Sequence, residues 1–179
     1  MRINFLLPGI LITLVWILVK LIQFFRKGRE ISYKDACADT LFFASILFII
    51  SKTMFPLDIG SMTSISPSPN INLVPFVTIQ QQLSHSYYLV PLRNIGGNIL
   101  LFIPLGFIVS LKYQWLSSLG KVILFGVGLS LIIETIQIPL NMRSFDVDDL
   151  LLNGVGTIVG YGLQKLFRVE KFYYRTLSN

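Results

Sequence analysis

Residues 134–153 read Glu-Thr-Ile-Gln-Ile-Pro-Leu-Asn-Met-Arg-Ser-Phe-Asp-Val-Asp-Asp-Leu-Leu-Leu-Asn and lie between two segments that are otherwise almost wholly apolar. A carboxylate, a carboxamide, an arginine and three further carboxylates are thus held at the ends of hydrophobic helices. Such groups are costly there. A charged side chain near a bilayer centre costs about 3 kcal/mol on insertion scales, so a sequence that keeps one has a partner or a task for it. The rest of the chain reads as the housing of this cluster.

The chain around it has 179 residues, 53% hydrophobic and 13% charged, with a mean hydropathy of +0.68. That balance excludes a water-soluble globular domain. Apolar runs long enough to cross a hydrocarbon core of ~30 Å, at ~1.5 Å per residue, occur at 5–25, 38–55, 95–111, 119–140 and 150–167. The predicted fold class is an all-α membrane protein of about five transmembrane helices. Three parts follow: two N-terminal helices (1–57), an extracytoplasmic loop (58–92) and a three-helix core (93–179).

The single Cys37 excludes an intramolecular disulfide, and the single His85 excludes a Cys/His metal site. No metal or cofactor is expected. The net charge of +6 invites a nucleic-acid partner, but the basic residues flank apolar spans, where they act as membrane anchors instead. The first span is too long for a secretory signal, and Gln23-Phe24-Phe25-Arg26-Lys27 lacks a small-residue cleavage site, so an uncleaved anchor is expected.

Basic residues stay cytoplasmic during insertion, which orients the spans. Arg26, Lys27, Arg29 and Lys34 fall between spans one and two, Lys112 and Lys121 after span three, and Lys165, Arg168, Lys171 and Arg175 in the tail. That makes ten inside (four, two and four) against three outside, Arg2, Arg93 and Arg143. The amino terminus is therefore expected outside and the carboxyl terminus inside. Lys20 and Lys52 lie within span ends and are expected to snorkel to headgroups. The outer stretch 60–72 is Ser/Pro-rich and reads as a solvated loop. Residues 78–90 read either as a short helix on the outer leaflet or as an irregular loop held by Tyr87 and Tyr88.

Three helix faces carry polar residues toward the outer surface. Asn94 and Asn98 are four apart in span three, with Pro104 predicted to kink that helix further on. In span four, Gly126, Ser130, Glu134 and Gln137 form one stripe. Glu134 sits about six residues inside the span end, roughly 9 Å deep. In span five, Asp146, Asp149, Asn153, Gly156 and Gly160 form another stripe, polar at the outer end and glycine-lined at the inner. Asp146 also suits a helix N-cap. Asp148, one step off the stripe, reads as solvated, and Asp148→Asn is expected to be silent. The three faces, with Arg93 and Arg143, define an outward pocket, and Glu134 is expected to pair with one of those arginines. An internal network that only ties the helices together accounts for the same residues.

Asn72-Leu73-Val74-Pro75-Phe76, the run from Asn94 to Gly106, Glu134-Thr135-Ile136-Gln137, and Arg143 with Asp146, Asp149, Asn153, Gly156 and Gly160 together resemble the VanZ-like family of bacterial membrane proteins, over about 70–165. That family takes its name from a protein associated with resistance to the lipoglycopeptide teicoplanin. The resemblance implies a bacterial plasma-membrane protein whose recurrent polar residues fall on Asn98, Glu134, Gln137, Arg143, Asp146, Asp149 and Asn153. Three functions compete. One is a non-enzymatic pocket for a membrane lipid, a lipid-linked cell-wall intermediate or a lipoglycopeptide. In it Arg93 and Arg143 would meet a phosphate or carboxylate, and Asn98 and Gln137 sugar or amide groups. The second is an intramembrane enzyme with Glu134 or Asp149 as general base. The third is a carrier using Glu134, which five spans without an internal repeat disfavour.

Overall fold

A computed structural model describes residues 2–27, 32–58, 71–138, 145–167 and 169. Within a bilayer each backbone amide must bond inside its own segment, so the apolar runs become helices. They are α1 (Leu6–Lys27), α2 (Tyr33–Thr53), the short α3 (Val77–Leu83), α4 (Leu89–Lys112), α5 (Leu119–Gln137) and α6 (Val147–Leu166), with one 3-10 turn at Gln114–Leu116. Two minimal pairings close the same end of the bundle: β1 (Arg2–Ile3) antiparallel to β2 (Leu57–Asp58), and β3 (Ile71–Asn72) parallel to β4 (Phe145–Asp146).

The protein is an all-α membrane protein. Four helices, α1, α2, α4 and α5, are both long and apolar enough to cross a membrane. The fifth, α6, has 20 residues and so reaches ~30 Å, but Asp148 and Asp149 in its first turn dilute its hydropathy. Of the two readings for 78–90, the helix holds for 77–83, while Leu89 and Val90 already belong to α4. α4 starts six residues before the expected span because Pro91 lies in its first turn, where no intrahelical N–H bond is lost. The same helix continues unbroken through Pro104. Residues 59–70, most of the expected solvated loop, lie outside the described residues.

α4 and α6 form the most extensive helix pair and run parallel, Ile99 beside Gly156 and Ile103 beside Gly160. Lipid tails are as apolar as leucine, so helices in a membrane gain from close backbone approach instead, and small residues permit it. A Cβ at Gly156 would overlap the Ile99 carbonyl oxygen, one at Gly160 the Ile103 carbonyl, and one at Gly106 the Thr157 carbonyl. α5 returns the chain antiparallel to α6, with Gly126 against the Thr157 side chain. α2 covers the other flank of α4, where Ile49 packs with Leu101, Phe102 and Leu105, and Ala38 with Ile108 and Leu111. α1 stands at the edge of the bundle with most of its large apolar side chains exposed.

Candidate functional site

The two polar stripes meet face to face. Gly126, Ser130, Glu134 and Gln137 are all buried in α5, as the spacing predicted. Asn153 of α6 donates through Nδ2 to Ser130 Oγ at 2.8 Å. Nearer the end, Glu134 Oε2 accepts from the Asp146 backbone N–H at 3.3 Å. Gln137 reaches sideways to α2, its Nε2 donating at 2.7 Å to the carbonyl of Thr53. That carbonyl belongs to the last turn of α2, which has no intrahelical partner, so the carboxamide satisfies it.

Asp146 is the α6 N-cap, accepting from the Asp148 N–H at 2.9 Å. The same carboxylate oxygen accepts from Asn72 Nδ2 at 2.9 Å, and Asn72 also reaches Thr78 Oγ1 at 3.1 Å. Asn72 thus fastens β3 to β4 and to α3. The motif that contains Asn72 carries no local sign of this role, since its partner is 74 residues away. Asn98 of α4 donates to Asp149 of α6, linking the third polar face to the second.

Asp148 corrects an expectation. It is 1% exposed, not solvated. Its Oδ1 accepts from the Phe76 N–H at 2.5 Å and its Oδ2 from the Ile79 N–H at 3.1 Å. The carboxylate therefore caps α3. Phe76 sits at φ 70°, a left-handed conformation that costs a non-glycine residue ~1–2 kcal/mol, and the bond to Asp148 helps hold it there. The physical reason for the burial is that α6 leans its first turn against 76–79, a segment without helical periodicity before Val77.

Beside these ties lies a cavity of about 600 Å³ between α2, α3, α4 and the start of α6. Its polar rim carries Lys52, Arg93, Asn94, Asn98, Asp146 and Asp149, with Gln82 and Thr78 of α3 above. Phe48, Leu100 and Leu101 form the apolar wall. Of the sequence-named residues, Arg93, Asn94, Asn98, Asp146 and Asp149 come together here. Glu134, Gln137 and Asn153 stand behind as buried interhelical ties. Arg143, and with it the Glu134–Arg143 pair, lies outside the described residues. Lys52 was missed as a lining residue because position at a span end reads as snorkelling. Among the described residues, the buried Oε1 of Gln82, Oε1 of Gln137 and Oδ1 of Asn153 find no donor. Chemically the cavity offers two cations, two carboxylates and several carboxamides above an apolar wall.

A profile of the VanZ/LLP1 family matches residues 42–168. The chain belongs to the VanZ/LLP1 family. No curated protein and no solved structure matches it. The VanZ/LLP1 match begins within α2 and runs to the end of α6, so it takes in every cavity-lining residue and leaves α1 outside.

Proposed function

We propose that this VanZ/LLP1 member binds a lipid-linked or lipid-like amphiphile in the cavity between α2, α3 and α4, on the outer side of the bacterial plasma membrane. The division of the cavity into a charged rim and an apolar wall supports this most directly. Phe48 and Leu100, on the facing helices, are 44% and 65% exposed and border the hydrocarbon. An acyl or prenyl chain therefore has a lateral way in between α2 and α4, while its head reaches the rim. Lys52 and Arg93 suit a phosphate or carboxylate, and Arg93 takes it in a bidentate fashion. The unpartnered Gln82 oxygen suits a hydroxyl or amide N–H.

The outward direction rests on the ten-to-three bias of basic residues. A reporter fused after Asn179 is expected to be active only as a cytoplasmic reporter. Activity of an extracytoplasmic reporter there would turn the cavity inward and end this reading.

The family name and the cavity together point to teicoplanin tolerance. A strain making the protein is expected to tolerate teicoplanin better than vancomycin, because both drugs bind one target but teicoplanin alone carries a long acyl chain. Arg93→Gln with Lys52→Gln is expected to abolish the difference at unchanged protein level, since both residues are exposed and no fold contact of either side chain is needed. Gln137 and Asn153 are unsuitable for this test, because they tie helices together and their loss mimics loss of binding. Equal tolerance to both drugs, or a double variant as protective as the parent, would remove the amphiphile reading.

A further inference from the structure

We infer that Gly97 decides which amphiphiles the outer cavity accepts: the group that joins a ligand's head to its apolar chain lies against the bare backbone of α4 at that residue. This rests on the amphiphile reading above and adds to it a position that the packing of the helices does not use. Glycines in membrane helices let a second backbone come close. Gly106, Gly156 and Gly160 do so, each with a carbonyl of the facing helix where a Cβ would stand. Gly97 does not, since a Cβ there would meet nothing within 4 Å. Nor does the backbone call for glycine, because residue 97 lies inside the unbroken α4 and has no positive φ. Gly120, Gly128 and Gly162 are equally open, but of these four only Gly97 lines the cavity. The space left by its missing side chain is therefore the cavity's own.

Position along the helix says which part of a ligand that space takes. Arg93, Gly97 and Leu101 all line the cavity and are four residues apart, so they follow one another down one face of α4 in steps of ~6 Å. A phosphate or carboxylate held at Arg93 and a chain laid on Leu101 leave the linking group beside Gly97. Asn94, one turn above on the same helix, offers that group both a donor and an acceptor. Phe48 and Thr53 of α2 line the same cavity. A larger side chain at 97 would project into it at the level where head becomes chain. A glycerol that carries two chains needs the width left there, whereas a single chain that meets its phosphate directly does not.

The full-length protein in detergent is compared with Gly97→Leu, Gly97→Ala and Gly162→Leu by native mass spectrometry and thermal unfolding. Two probes are used, short-chain phosphatidylglycerol, with two chains on one glycerol, and dodecyl phosphate, with one chain and no linker. The binding counted is that which Arg93→Gln with Lys52→Gln removes. Gly97→Leu is expected to weaken phosphatidylglycerol roughly tenfold or more and dodecyl phosphate by less than about threefold, as overfilling of a packed space does. Its Tm without ligand is expected to equal or exceed the parent's, since glycine is the poorer helix former. Gly162→Leu places the same side chain outside the cavity and is expected to bind both probes as the parent does. Should Gly97→Leu not fold, Gly97→Ala is expected to show the same preference on a smaller scale. Undiminished phosphatidylglycerol binding in the folded Gly97 variants, or equal loss of both probes, would overturn the inference and leave the amphiphile reading standing. A parent chain that binds neither probe through Arg93 and Lys52 would overturn both.

Discussion

Gly156→Ala is expected to destabilise the protein by about 3 kcal/mol and to cut its amount in the membrane sharply. The new Cβ would overlap the carbonyl oxygen of Ile99, which is backbone of α4 and has no rotamer to escape into. Relief requires α4 and α6 to move apart along their whole shared length. In a bilayer that separation forfeits the packing that drives association, with no hydrophobic gain to replace it. It also draws Asn98 away from Asp149, and both line the cavity. Gly162→Ala, on the same helix, meets nothing within 4 Å and is expected to be neutral or to stabilise by up to about 1 kcal/mol through helix propensity. The contrast between two identical substitutions six residues apart is the measurement, read as unfolding in detergent and as membrane abundance. A Gly156→Ala protein that unfolds like the parent would mean that the helices do not approach as described.

What spacing reveals is the face of a helix and not its partner. The intervals linking Gly126, Ser130, Glu134 and Gln137, and those linking Asn153, Gly156 and Gly160, correctly mark buried faces. Helix geometry alone imposes that. Gly106 escaped the same reading because it lies in α4 with large apolar neighbours, and only the approach of Thr157 makes its missing Cβ matter. The convergence of Asn98 with Asp149 and the capping by Asp146 were legible, since one needs only facing stripes and the other only a local chain reversal. Lys52 was not, because a lysine at a span end has two environments that no local pattern separates. Asn72 and Asp148 were not, because each is satisfied across about 70 residues by an aperiodic segment.

Asp148→Ala is expected to cost about 3 kcal/mol, the desolvation left by two backbone N–H groups that lose their acceptor. The isosteric Asp148→Asn separates volume from hydrogen bonding. Its single carbonyl oxygen can accept from Phe76 or from Ile79, and its NH2 group then faces the other donor. It is therefore expected to be clearly destabilising and not silent. The damage is local first: Phe76, at a positive φ, loses the bond that holds it, and α3 loses its cap. Seven residues form too short a helix to persist without tertiary support. Because Thr78 and Gln82 of α3 roof the cavity, its loosening is expected to impair binding at the rim although Asp148 itself does not line the cavity. Hydrogen exchange over 76–83, compared with that of α5 as an internal reference, reads the first effect, and Tm the second. Parental protection at 76–79 in Asp148→Asn would show that the carboxylate is not what holds α3 in place, and would leave the roof of the cavity to Asn72 and the β3–β4 pairing alone.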